Sequence, residues 1–197
     1  MSVCEKSKTI CSAGKKDLKA NPKQTTNKKI DMSATAIETR KPGRLSSDEL
    51  QQTVIEYIKQ TQWATLATVR EDGAPVLRTM GSFAPDGVNV FFSTPRKAGK
   101  VRHIWKNSLV NFFFQHENQK LETFKNVAII GRAHEVTGGP QLQKAIELLS
   151  ARNPRFKARV ERDELGDTAI FLIHTTEIKY LNYGSGIGPA AIQEVIL

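Results

Sequence analysis

Apolar residues recur along this chain in two rhythms. In "SSDELQQTVIEYIKQTQ" (46–62), Leu50, Val54 and Ile58 are spaced by four, which places them on one helical face. Ser46 with Glu49 three residues on forms a capping-box pattern, so the spacing predicts a helix over about 47–61. The rhythm then shortens. "WATLATVR" (63–70) is rich in β-forming residues, and "EDG" (71–73) is a hairpin signal, because Gly tolerates the positive φ such turns need. "APVLRTMGSFA" (74–84) returns, "PDG" (85–87) turns and "VNVFFST" (88–94) returns again, a meander of three antiparallel strands.

Beyond the meander, "KAGKVRHIWKN" (97–107) reads as helical, with Val101, Ile104 and Trp105 on one side. "LVNFFFQHE" (109–117) and "KNVAIIGRAHEVT" (125–137) are two further strands. Alternation puts Phe113 on the opposite face from Phe112 and Phe114, so one face is core and the other is free for a partner. A helix at about 140–151 is followed by a Pro-broken, charged helical segment at 154–164. "TAIFLIHTTEIKYLNYG" (168–184) is a long closing strand, bent near Thr175–Glu177. The closing "SGIGPAAIQEVIL" is Gly-rich and then apolar; "GSGIGP" (184–189) reads as a flexible turn lying over a partner's cleft. Six strands in mostly sequential antiparallel order predict a mainly β fold, a six-stranded split barrel with flanking helices. Closure would remove the exposed edges of an open meander.

Charge divides the chain of 197 residues in two. Residues 1–44 hold eleven Lys or Arg against four Asp or Glu, a net of +7, whereas 45–197 hold eighteen against sixteen, a net of +2. The basic segment has almost no large apolar residues and cannot offset its ordering entropy by burial, so it is expected to be a disordered tail ahead of one folded domain at 45–197. Met32 opens a stretch that reads as an alternative start. A nearly neutral folded part speaks against nucleic-acid binding, which needs a concentrated basic surface.

Both cysteines, Cys4 and Cys11, fall in the tail, which leaves no disulfide framework or Cys-based metal site for the domain and suits a cytoplasmic home. No apolar run reaches membrane-spanning length, and the first residues lack the apolar stretch of a secretory signal. His103, His116, His134 and His174 are scattered singly, without metal-triad spacing. Of these, His116 follows Gln115 and could face a cleft. No Gly-x-Ser-x-Gly or Cys/His nucleophile pattern occurs, and "GSGIGP" (184–189) lacks the Lys-Ser/Thr of a phosphate loop. Trp63 and Trp105 read as packing residues.

The order of "ATLATVREDGAPVLRTMGSF", "GVNVFFST", a Lys-bearing helix start, "NSLVNFFFQ" and "VAIIGRAHEV" resembles the FMN-binding split-barrel superfamily, which includes the pyridoxamine-phosphate-oxidase-like proteins. The resemblance covers about 47–183. It implies a homodimer with a flavin in each of two clefts between subunits, acting on a small-molecule substrate. It further implies that Arg78 and Thr79, Ser93 and Thr94, and Lys100 hold the flavin phosphate. Met80, Gly81 and Ser82 would line the ring and Gln115 would meet its edge. A helix N-terminus offers free N–H groups and partial positive charge to an anion, while Arg adds a fork of donors and Lys a point charge.

One feature departs from the family pattern. Where many relatives have Ser and Arg just before the Lys, this chain has Ala98 and Gly99. Arg96 and Lys97 are near enough in sequence to supply charge from a shifted position. The chain also ends without the Arg-containing segment that grips substrate in pyridoxamine-phosphate oxidase itself. FMN is therefore the cofactor the resemblance implies, for an oxidoreductase of unspecified substrate. A deazaflavin-dependent reductase of the same fold and a non-enzymatic haem- or ligand-binding protein are its alternatives. No catalytic acid or base stands out.

Overall fold

A computed structural model describes residues 44–197, so all of the basic segment except Arg44 lies outside the described residues. The first helix, α1 (Ser47–Gln60), starts where the capping box places it. Ser46 Oγ accepts from the Glu49 N–H at 3.3 Å, and the Glu49 carboxylate accepts from the Ser46 N–H at 2.8 Å. Leu50, Val54, Tyr57 and Ile58 form its buried face.

Eight strands follow: β1 (Ala64–Val69), β2 (Pro75–Met80), β3 (Phe83–Asp86), β4 (Asn89–Pro95), β5 (Leu109–Gln115), β6 (Lys125–Glu135), β7 (Thr168–Asn182) and β8 (Ile192–Ile196). They form one antiparallel sheet in the order β2-β1-β5-β6-β7-β4-β3, with β8 on β7. β2 and β3 are joined by only Gly81 and Ser82, yet they occupy opposite ends of that order. The sheet must curl to bring its two ends together, and that curl is the half-barrel.

The strand count thus exceeds the six expected, for two reasons. The run 74–84 breaks at Gly81–Ser82 and becomes two strands. The C-terminal residues form short 3-10 turns at Tyr183–Ser185 and Gly188–Ala191, over the 184–189 stretch read as a turn, and then β8, a strand that was not expected, whose Val195 packs against the core. The bend in β7 lies where it was expected. Ile130 pairs with Glu177 and Gly131 with Thr175, leaving Thr176 as the extra residue of a bulge. A Cβ on Gly131 would collide with the His174 carbonyl, so the close approach there requires glycine.

The inner face of the curl is lined by phenylalanines. Phe83, Phe92, Phe112, Phe114 and Phe171 are fully buried, with Phe83 edge-on to both Phe112 and Phe114 at 5.4 Å. Helix α2 (Gly99–Lys106) adds Val101 and Ile104 to this core. Helices α3 (Gly139–Arg152) and α4 (Pro154–Glu161) form a second core with Phe91, Ile170 and Leu172, on the outer face of β4 and β7.

Candidate functional site: an anion cradle and a tryptophan-walled groove

Alternation decides where each candidate side chain points. On β2, Val76, Arg78 and Met80 turn inward, while Leu77 and Thr79 turn outward. On β4, Val90, Phe92 and Thr94 face the main core, and Ser93 faces the side covered by α3 and α4 with Phe91. Helix α2 begins five residues after Thr94. Its N-cap Ala98 supplies no side-chain hydrogen bond, and its first turn has no acidic residue.

Three of the expected residues come together here. Lys100 Nζ donates to Thr94 Oγ1 at 2.8 Å. Burial and the positive charge of Arg78 both push the Lys100 ammonium below its ordinary pKa of 10.5. Arg78 is half-buried, and its Nη1 donates to Thr68 Oγ1 at 2.8 Å. Neither Arg78 nor Lys100 has a carboxylate partner among the described residues.

The remaining candidates sit elsewhere. Ser93 Oγ is 2.5 Å from Ser82 Oγ, a pair tied further by the Ser93 N–H donating to the Ser82 carbonyl. Thr79 is exposed on the outer face, in a groove of about 420 Å³ with Trp63, Thr65 and Glu117. Gln115 lies at the exposed end of β5, in a groove of about 180 Å³ that shares Trp63 and Glu117. Met80 is buried in the core. Gly81 and Ser82 line a third groove, of about 740 Å³, with Trp63, Arg152 and Asn153.

Trp63 is therefore the common wall of three grooves, more than the packing residue the sequence suggested. Its indole lies so close over Gly81 that a Cβ at that position would collide with it. Behind the groove, Arg152 donates to the Lys59 and Thr61 carbonyls and stacks over Phe83 at 4.3 Å, and Asn153 donates to the Gly81 carbonyl at 3.3 Å. These contacts brace the β2–β3 connection against α3.

One further expectation changes. Arg96, considered as a substitute cation, is turned away: it pairs with Glu135 and donates to the Thr168 carbonyl. His116 lines the same groove as Gln115, and its ring stacks flat on Tyr57 with ring centroids 3.8 Å apart and lies 3.2 Å from the Tyr57 carbonyl. Among the described residues, no group of three or more His, Cys, Asp or Glu is placed to hold a metal ion. No helix among them is long and apolar enough to cross a membrane.

The family model for pyridoxamine 5'-phosphate oxidase matches residues 50–182, from within α1 to the end of β7. The chain belongs to this family. Solved structures agree on its split-barrel fold. One, described as a heme binding protein from Mycobacterium smegmatis, is 15% identical with a TM-score of 0.62. The match covers 78% of this chain but only 59% of that one. General stress protein 26 from Bacillus anthracis is 20% identical, with a TM-score of 0.56 and coverage of 75% and 98%. HutZ, described as a heme storage protein from Vibrio cholerae, is 18% identical, with a TM-score of 0.54 and coverage of 64% and 89%. At such identities the likeness is one of fold. No curated protein matches the chain.

Within this pyridoxamine 5'-phosphate oxidase-type barrel, sequence reading missed Thr68, His103 and Arg152. Thr68 carries a signal that could have found it, being the polar member of an otherwise apolar inward set, Ala64, Leu66 and Thr68. His103 lies three residues after Lys100 and so shares its helix face. Arg152 carries no local signal, because its partners are ninety residues away in sequence.

Proposed function

We propose that this chain binds FMN and acts, as a cytoplasmic homodimer, as a flavin-dependent oxidoreductase on a small-molecule substrate. The observation that carries the reading is the convergence of Arg78 and Lys100 beside Thr94, at a helix start without a capping side chain. Two cations brought together and partly stripped of water destabilise each other, and a phosphate dianion relieves both costs. The donor set fits such a group: a guanidinium fork, an ammonium, the Thr94 hydroxyl and the unfilled N–H groups of the first turn of α2. Gly99 keeps the approach to those groups open, with nothing within 4 Å of where a Cβ would stand.

When bound, the flavin supplies the hydride and electron transfer, while the protein binds, orients and shields it. Arg78 and Lys100 would hold its anionic end. Gly81, Ser82 and the wall of Trp63 lie along the chain from Arg78 and would flank the ring. Arg152 and Asn153 hold that connection in place.

The homodimer rests on the outer face of the sheet. Leu77 is 68% exposed there, and Val69, Phe113 and Ile130 share the face, with no described element packed over it. Thr65, Thr79 and Asn111 lie among them, and an uncovered sheet face of mixed apolar and polar residues suits association with a second copy. Arg78 and Thr79 project from opposite faces of β2. Both can serve one cofactor only where a second copy brings its outer face to the inner site.

Haem is the second reading, favoured by the two structural neighbours described as heme binding and heme storage proteins. The absorbance spectrum of the purified protein separates the readings. Flavin bands are expected, a Soret band would shift the assignment to haem, and a colourless protein that does not retain added FMN would sink it.

A further inference from the structure

Among the groups around the anion cradle, one has a role that neither the family nor the fold assigns. His103 sits on α2, one turn after Lys100, and is only 7% exposed. Its Nδ1 lies 3.1 Å from Thr68 Oγ1 and 3.4 Å from an Arg78 Nη2. Thr68 Oγ1 in turn accepts from Arg78 Nη1 at 2.8 Å. The three side chains come from β1, β2 and α2 and close a small triangle.

Donor bookkeeping fixes the roles inside it. A guanidinium only donates, and a hydroxyl has a single proton. The Thr68 oxygen is used as acceptor by Arg78, so its own proton is free for His103 Nδ1. Nδ1 faces two donors and must accept, so the ring is neutral with its proton on Nε2. The electrostatics favour the same form. Burial pushes the His103 pKa below its ordinary 6.5, and Arg78 on β2, Arg102 on α2 and Arg70 at the β1–β2 turn act in the same direction. Asp72 in that turn opposes them.

We infer that His103 is a positioning residue for the proposed anion site: through Thr68 it fixes the rotamer in which Arg78 presents its guanidinium beside Lys100. The inference rests on the flavin-phosphate reading above. Without an acceptor at Nδ1, the Thr68 hydroxyl is free to turn and Arg78 keeps one anchored nitrogen instead of two. A long side chain held at a single point loses much of its preorganisation for an anion. One helix would thus serve the site twice, with Lys100 touching the anion directly and His103 orienting the partner cation.

The test compares His103→Leu with His103→Asn, because the Asn side-chain oxygen can replace the Nδ1 acceptor whereas Leu cannot. FMN and riboflavin, which lacks the phosphate, are titrated into wild type and both variants, with circular dichroism to confirm the fold. The expected result is that His103→Leu weakens FMN about tenfold, roughly the loss of one hydrogen bond. His103→Asn should restore most of that loss, and riboflavin binding should not change. Equal FMN affinity in wild type and His103→Leu, or an equal loss for both flavins, would overturn the positioning role and leave the flavin reading intact.

If wild type binds no FMN, the flavin reading fails and inorganic phosphate becomes the probe. Phosphate-dependent shifts of the His103 ring nitrogens by NMR, lost in Arg78→Ala, would then support the role. No shift would overturn it.

Discussion

Lys100 Nζ donates a 2.8 Å hydrogen bond to the hydroxyl of Thr94, the last inward-facing residue of β4. This bond ties the end of a strand to the first turn of a helix across the Arg96–Ala98 loop. It also holds the ammonium near the guanidinium of Arg78, against Coulomb repulsion. Two cations kept in such a place, with no carboxylate partner among the described residues, have the electrostatic form of an anion site.

Removing either cation should therefore cost FMN affinity with little cost to the fold. Arg78→Ala and Lys100→Ala are each expected to weaken FMN by roughly 10- to 100-fold, the range of about 1.5–3 kcal/mol for a charge-assisted hydrogen bond. Fluorescence titration measures the affinity, and thermal melting shows whether the fold survives. Unchanged affinity in both variants would place the phosphate elsewhere.

The pKa of Lys100 sets an upper pH limit on binding. The protonated ammonium is the form that attracts the anion, and burial with Arg78 lowers its pKa from 10.5. FMN affinity should begin to fall with rising pH before an ordinary lysine would titrate, and Lys100→Ala should abolish that fall. A flat profile in wild type would contradict the role of the ammonium.

The stability of the domain should have its own pH dependence, at the acid end. His103 is neutral in the folded state with a lowered pKa, whereas the unfolded chain takes up a proton near 6.5. The unfolded state therefore binds more protons below 6.5, so stability is fully present above that value and declines as pH falls towards the lowered folded pKa. Denaturant melts at pH 7.5 and 5.5 should differ more for wild type than for His103→Asn. An identical difference in both would assign the acid sensitivity to other groups.

Gly81 under the Trp63 indole gives a test of the groove. Gly81→Ala is expected to destabilise the domain by about 1–3 kcal/mol, the usual cost of overpacking, and to change tryptophan fluorescence as the indole is displaced. In a Trp63→Ala background the same substitution should be nearly neutral. Additive effects in the double-mutant cycle would mean that the two residues do not interact.

Much of the barrel was legible because its signals are local. The capping box at Ser46 and Glu49, the "EDG" and "PDG" turns and the alternation through Phe112–Phe114 all act within a few residues. The break at Gly81–Ser82 was not legible, since β2 ends where its partner β1 begins, at the Ala64–Met80 pair, and β3 then joins β4 at the other end of the sheet. β8 was hidden for a related reason: its pairing partner, β7, precedes it by a Gly-rich stretch that looks like a mobile turn.

The candidate site divided along the same line. Arg78, Thr94 and Lys100 were implied by the resemblance to the family, and the fold brings them together. Which face Ser93 and Thr79 occupy depended on strand register, and a shift of one residue reverses it. The commitment of Arg96 to Glu135 and the triangle of Thr68, Arg78 and His103 arise only from tertiary packing.

Arg78 and Lys100 are proposed to hold the phosphate end of a flavin. Parallel fluorescence titrations of the wild-type protein with FMN and with riboflavin test it most directly, since the two ligands differ only in that phosphate. FMN is expected to bind at least about 100-fold more tightly, a preference worth roughly 2.7 kcal/mol that should largely disappear in Arg78→Ala/Lys100→Ala. Equal affinities for the two flavins, or binding of neither, would contradict the claim.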